Sequence, residues 1–170
     1  MKLRDNVVAC PSPNFRAVDP GRKVTCVVIH ATATAALASP KAWLCNPESK
    51  VSAHYLIDVD GAALALVDEN DVAWHAGESW WKGLPNVNNF SVGIELVNPN
   101  DGQTPYPEPQ LAACAALVRA ICADHGIGPE DVTGHVNIVA GKTPEEKAER
   151  LKLHSDPRGF PWDDFRARLA

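Results

Sequence analysis

Apolar positions fall into short continuous runs of strand length and one long stripe of helical period. Val24-Thr25-Cys26-Val27-Val28-Ile29 is a largely β-branched run, as expected of a central strand buried on both faces. Ala53 to Val59 forms a second run, Asp60-Gly61 a hairpin turn signal, and Ala62 to Val67 the returning strand. Ser91-Val92-Gly93-Ile94-Glu95-Leu96-Val97 predicts a third strand, with an acid, Glu95, inside an otherwise apolar run. Between Glu108 and Asp124 the residues Leu111, Cys114, Ala115, Val118, Ile121 and Cys122 recur at helical spacing, and Gly126 supplies the stop. Thr143 as cap, Pro144 at the first helical position and Glu146 at the third predict a short polar helix through Arg150. Trp162 to Leu169 reads as a closing helix, and Pro40 to Trp43 as the start of a short one. Strands separated by helices predict an α/β fold, a single domain over 1–170 with a central mixed β-sheet flanked by α-helices. The Pro-rich residues 1–23 read as an irregular N-terminal arm.

Composition narrows the partners. The chain has 170 residues and a formal net charge of −5, with no basic tract, which argues against nucleic acid or an anionic membrane surface as a partner. No stretch approaches the ~18 apolar residues of a membrane span, so no membrane insertion is expected. The N-terminus lacks an apolar stretch of signal-peptide length, so a cytoplasmic protein is expected, and a monomer. Five cysteines without framework spacing read as small buried hydrophobes in a reducing compartment.

Candidate chemistry rests on three polar residues far apart in sequence. His30 closes the first strand, His135 follows Gly134, and Asp156 precedes Pro157. Two imidazoles and a carboxylate can fill three of the four positions around a catalytic zinc, leaving the fourth for water. Rigid strand ends and adjacent loops suit such ligands. By spacing alone the signal is weak, because there is no compact His-x-x-x-His pair and a lone strand-end histidine is often structural.

The words around these residues are more specific. Val27-Val28-Ile29-His30-Ala31-Thr32, Val51-Ser52-Ala53-His54-Tyr55-Leu56-Ile57, Ala73-Trp74-His75-Ala76-Gly77, Ser91-Val92-Gly93-Ile94-Glu95-Leu96, Gly134-His135 and Ser155-Asp156-Pro157 follow in order, with Phe160-Pro161-Trp162 after them. Together with Ser12-Pro13-Asn14-Phe15 they resemble the type-2 N-acetylmuramoyl-L-alanine amidases, the AmpD-like family related to phage lysis amidases and peptidoglycan recognition proteins. The resemblance covers nearly the whole chain and implies the fold of that family. It implies Zn2+ held by His30, His135 and Asp156, and peptidoglycan or a muropeptide as substrate. The implied reaction is hydrolysis of the amide between the lactyl group of N-acetylmuramic acid and L-alanine of the stem peptide. Glu95 matches the family's catalytic glutamate, which would take a proton from the attacking water and return one to the leaving amine. Some relatives carry a tyrosine where this chain has Ala53, so the resemblance leaves the proton transfer to Glu95.

One departure stands out. The family usually carries a lysine two residues before the aspartate ligand, whereas this chain has His154 there, with Lys152 as the fallback. We expect His154 to support the oxyanion, with a lower or narrower pH optimum. His75, Trp80 and Asn89 are candidate substrate-binding residues, His54 a buried structural histidine and His125 a helix-dipole partner. The residues 137–153 look like an insertion whose capped helix decorates the surface or walls the groove. Two other classes stay open: a non-catalytic peptidoglycan-binding protein, and a zinc peptidase acting within the stem peptide. The setting, muropeptide recycling or phage lysis through a holin lesion, also stays open.

Overall fold

A computed structural model describes residues 4–18, 22–141 and 143–170. In chain order the strands and helices are β1 (Val7–Ala9), β2 (Phe15–Arg16), β3 (Cys26–Ala31), α1 (Ala38–Leu44), β4 (Tyr55–Ile57), β5 (Ala63–Ala65), β6 (Val72–Ala73), β7 (Trp80–Trp81), β8 (Leu84–Pro85), β9 (Ser91–Leu96), α2 (Glu108–His125), β10 (Val132–Gly134), α3 (His135–Ile138), α4 (Pro144–Leu153) and α5 (Trp162–Leu169). A six-stranded sheet runs β1-β5-β4-β9-β3-β10. Only the β4–β5 hairpin is antiparallel within it; β1–β5, β4–β9, β9–β3 and β3–β10 are parallel. The expected mixed α/β sheet is therefore present.

Side-chain alternation divides the sheet into two faces. Val27, Ile29, Tyr55, Ile57, Val92, Ile94 and Leu96 point to one face and pack against Leu111, Cys114, Val118 and Ile121 of α2 and Phe165 of α5. The opposite face carries Cys26 and Val28, covered by Ala76, Val87 and Ile138. Further along that face Leu56 meets Leu44 of α1, Leu66 and Ala73. His30 and Glu95, two residues on from Val28 and Gly93, share this second face at its C-terminal edge.

The arm is the main difference from expectation. Residues 1–3 and 19–21 lie outside the described ones, but Val7–Ala9 adds an edge strand to the main sheet and Phe15–Arg16 pairs with β6. Ser12 and Asn14 in the arm are buried, and the Asn14 amide donates to the carbonyls of Asn46 and Val51 at 2.8 and 2.9 Å. Such satisfied backbone and side-chain groups order a Pro-rich segment that lacks strand periodicity. The polar helix runs past Arg150 to Leu153, its Thr143 hydroxyl accepting from the Glu146 N–H, and none of its described residues is buried. Gly126 ends α2 at φ +67°, a left-handed stop. No helix among the described residues is long and apolar enough to cross a membrane.

Ile121 is fully buried between α2 and the sheet. Ile121→Ala is expected to cost roughly 2–5 kcal/mol through lost burial and the cavity left behind. Chemical denaturation with an unchanged m-value checks it.

Candidate metal centre

Three separate stretches of chain meet at the C-terminal edge of the sheet. His30 lies inside β3 as its penultimate residue, and His135 opens α3 directly after β10. Because β10 pairs parallel to β3 with Gly134 opposite Ile29, the turn into α3 brings His135 to His30, ring centroids 4.6 Å apart. Asp156 sits in the loop between α4 and α5, where its carbonyl accepts the Val136 N–H at 2.9 Å. Gly134 makes room for that loop: a Cβ there would lie 2.8 Å from Pro157 Cδ and 3.0 Å from the Trp162 ring.

The donor atoms converge. His30 Nδ1 lies 3.2 Å from Asp156 Oδ2 and His135 Nδ1 3.1 Å from Oδ1. One ligand atom from each of the three buried residues falls within 4.8 Å of the others. Burial disfavours charge on both kinds of group, but with opposite results. It pushes His30 below the ordinary histidine range and so keeps its imidazole neutral at neutral pH. Asp156 is opposed by the same burial, yet His135 and His30 more than offset it and hold the carboxylate well below its usual range. A neutral imidazole and a charged carboxylate are the forms in which these groups bind a metal. The set of two nitrogens and one oxygen donor fits zinc with an open position.

Glu95 is the register partner of His30 on the neighbouring parallel strand, and their side chains share the face that holds the cluster. Its Oε2 is buried without a hydrogen-bond partner among the described residues. Burial first, and the Asp156 charge second, push its carboxyl up to about 8. His154 caps the end of α4, with its ring 4.9 Å from that of His135. Burial and His135 lower its basicity, so a neutral ring is what it offers at neutral pH. Lys152 is exposed and paired with Glu149 on the outer side of α4.

The remaining candidates divide. Trp80 is half exposed on the β7–β8 hairpin, and with Trp81, Asn137 and Val139 it lines a recess of about 440 Å³ beside α3. Asn89 is placed elsewhere: it lies in the turn before β9, at the opposite strand end from Glu95, where its side-chain oxygen accepts from Arg16 at 2.7 Å. His75 is buried behind His30 instead of lining the groove, with its two ring nitrogens engaged by His30 and Ser91. His54 is the structural residue expected, its Nδ1 accepting the Gly93 N–H at 2.9 Å. His125 does end α2, but it also meets Glu69 at 2.7 Å. A larger cavity of about 750 Å³ lies away from the cluster; its carboxylate Glu69 is taken up by Arg4, Tyr55 and His125.

The His75–Ser91 contact was missed in sequence. Its signal is Gly93, a glycine in mid-strand marking a close approach. A Cβ there would lie 2.4 Å from the His75 ring.

Fold and cluster together define an α/β protein with a buried His-His-Asp cluster that could hold a metal ion at the edge of a mixed sheet. The family described as N-acetylmuramoyl-L-alanine amidase matches residues 20–157, and the chain belongs to it. It is 37% identical over 122 residues to the 1,6-anhydro-N-acetylmuramyl-L-alanine amidase AmpD of Salmonella typhimurium, covering 71% of this chain and 58% of that protein. It is 32% identical over 132 residues to the N-acetylmuramoyl-L-alanine amidase AmiD of Escherichia coli, covering 69% of this chain and 44% of that one. The matched region thus spans about half the length of these curated relatives. A crystal structure of an AmpD derivative superposes with a TM-score of 0.78 at 25% identity, covering 99% of this chain and 97% of that one. The E. coli AmiD complex with the substrate anhydro-N-acetylmuramic acid-L-Ala-D-γ-Glu-L-Lys gives 0.71 at 29% identity, covering 90% and 61%.

A raised carboxyl at Glu95 has a stability consequence in protein stripped of metal. In the folded state the group holds its proton up to about 8, against an ordinary value of 4.5. The folded form is therefore penalised as pH rises between those values, and the penalty is absent below them. Glu95→Gln removes it. The melting temperature of Glu95→Gln relative to wild type, both in chelator, is expected to rise from pH 4.5 to 8.5; a gap that narrows would contradict the assignment.

Proposed function

We propose that the chain is a zinc-dependent N-acetylmuramoyl-L-alanine amidase that cleaves the bond between the lactyl group of N-acetylmuramic acid and L-alanine of the stem peptide. The observation that carries this reading is the convergence of His30, His135 and Asp156 beside a buried, unpartnered oxygen of Glu95. The names of the relatives, AmpD and AmiD, support the substrate class. They favour a soluble 1,6-anhydro-muropeptide over intact wall, and with it a role in muropeptide recycling.

His30, His135 and Asp156 would hold the zinc. When bound, zinc supplies a Lewis acid to the scissile carbonyl and to the attacking water. Glu95 accepts the proton that water sheds on attack, and its preference for the protonated form suits it to hand that proton to the leaving amine. His154, at the end of α4 with its ring 4.9 Å from that of His135, donates one N–H to the oxyanion of the tetrahedral intermediate. A neutral histidine brings no full positive charge to that oxygen, which is where this chain differs from a lysine-bearing relative. Trp80 offers an exposed aromatic face at the rim for a sugar or the lactyl group.

Mass spectrometry of products from anhydro-muropeptide is the test. Release of the intact stem peptide with a free L-alanine amine supports the amidase; cleavage inside the peptide identifies a peptidase, and no turnover a binding protein. Glu95→Ala is expected to keep its zinc and lose about 10²–10⁴-fold in turnover. Substantial release from intact sacculi at rates matching the soluble substrate would contradict the recycling role. His154→Lys is expected to extend activity to alkaline pH, and an unchanged alkaline limb would remove His154 from the oxyanion.

A further inference from the structure

A line of buried polar atoms leads away from His30 through residues that carry no part of the chemistry above. His30 Nε2, the nitrogen turned away from Asp156, lies 3.0 Å from His75 Nδ1. His75 Nε2 lies 3.1 Å from Ser91 Oγ, and Ser91 Oγ lies 2.7 Å from the Val87 carbonyl oxygen. His30, His75, Ser91 and Val87 are all buried.

The far end of this line sets its direction. A carbonyl oxygen only accepts, so the single hydroxyl proton of Ser91 is directed to Val87. Ser91 Oγ then accepts, and His75 Nε2 must carry the proton that it receives. A neutral His75 has one ring proton, so its Nδ1 is an acceptor and His30 Nε2 must be the donor. The ring proton of His30 is thereby held on Nε2, and its Nδ1 is left with a lone pair 3.2 Å from the Asp156 carboxylate, two acceptors that a bound cation, and no shared proton, would satisfy. Run the other way, the Ser91 proton would go to His75 and leave two buried oxygens 2.7 Å apart with no proton between them.

The surroundings keep His75 in place for this. Asn88 Oδ1 accepts the backbone N–H groups of His75 and Ala76 at 3.1 and 2.8 Å. Gly93 provides the space for the ring on the sheet face. His54, which accepts the Gly93 N–H, meets the other side of His75 edge-on at 5.8 Å between centroids.

We propose that His75 is a positioning residue that, anchored through Ser91 to the Val87 carbonyl, fixes the tautomer and ring orientation in which His30 binds the metal. This rests on the reading of His30 as a zinc ligand. Partners of this kind are worth about 10–100-fold in metal affinity.

The test measures zinc affinity by competition with a chromophoric chelator for wild type, His75→Leu, His75→Asn and Ser91→Ala. His75→Leu is expected to bind zinc about 10–100-fold more weakly. His75→Asn keeps an acceptor near the Nδ1 position and is expected to recover most of that loss. Ser91→Ala removes one hydroxyl from a small side chain, folds as wild type by circular dichroism, and is expected to weaken zinc by a smaller factor. Two-bond ¹H–¹⁵N correlation spectra of the wild-type imidazoles supply a readout independent of metal, with His75 protonated on Nε2 and bare on Nδ1. A His75 proton on Nδ1 would overturn the proposal, as would folded His75→Leu with wild-type zinc affinity or His75→Asn as weak as the leucine variant. If wild type binds no zinc while His75 shows the Nε2 proton, the ligand reading of His30 fails and the fixed direction of the relay stands.

Discussion

The register between β3 and β9 is the constraint on which the site depends. Parallel pairing sets His30 opposite Glu95 and Val28 opposite Gly93, so the polar residues share one face and Ile29 and Ile94 share the other. A slip of one residue would drive His30 into the apolar layer beneath α2 and turn Ile29 towards the cluster. Burial of Val27, Ile29, Val92, Ile94 and Leu96 against α2 and α5 prevents that slip. The packing that stabilises the domain therefore also aligns His30 with Glu95. β10 extends the same logic, since its pairing with β3 delivers His135 at the strand end.

Electrostatics then divide labour among groups of similar type. Two carboxylates lie in one cleft, but Asp156 is held ionised by two imidazoles while Glu95, lacking such partners, is pushed up to about 8. The first is suited to a metal and the second to moving a proton, a separation produced by surroundings alone. The histidines separate in the same way. His30 and His135 turn Nδ1 to the cluster, His75 stands behind His30, and His154 stays partly exposed at the rim.

Much of this was legible in the chain because the relevant signals are local. The β-branched run of β3, the Asp60-Gly61 turn, the stripe of α2 and the Thr143 cap each follow from a few neighbouring residues, and each element formed. The ordered words around His30, Glu95, His135 and Asp156 pointed to residues that the fold brings together. What could not be read depends on distant partners. The arm became two strands because β5 and β6 offered edges to it, which residues 1–23 do not encode by themselves. Asn89 lies just before the Glu95 strand as its place in the sequence says, but its pairing with Arg16 of the arm depends on a partner 73 residues away. His75 was recognisable as a member of a word, yet whether it faces substrate or a fellow histidine is decided by Gly93 on another strand.

The central claim is that His30, His135 and Asp156 form one metal site. Anomalous diffraction collected on either side of the zinc absorption edge, from crystals of zinc-loaded protein, tests it most directly. A single strong peak is expected about 2.0–2.2 Å from His30 Nδ1, His135 Nδ1 and an Asp156 oxygen. A zinc-loaded crystal with no peak among these three residues, or with the metal bound through other groups, would contradict it.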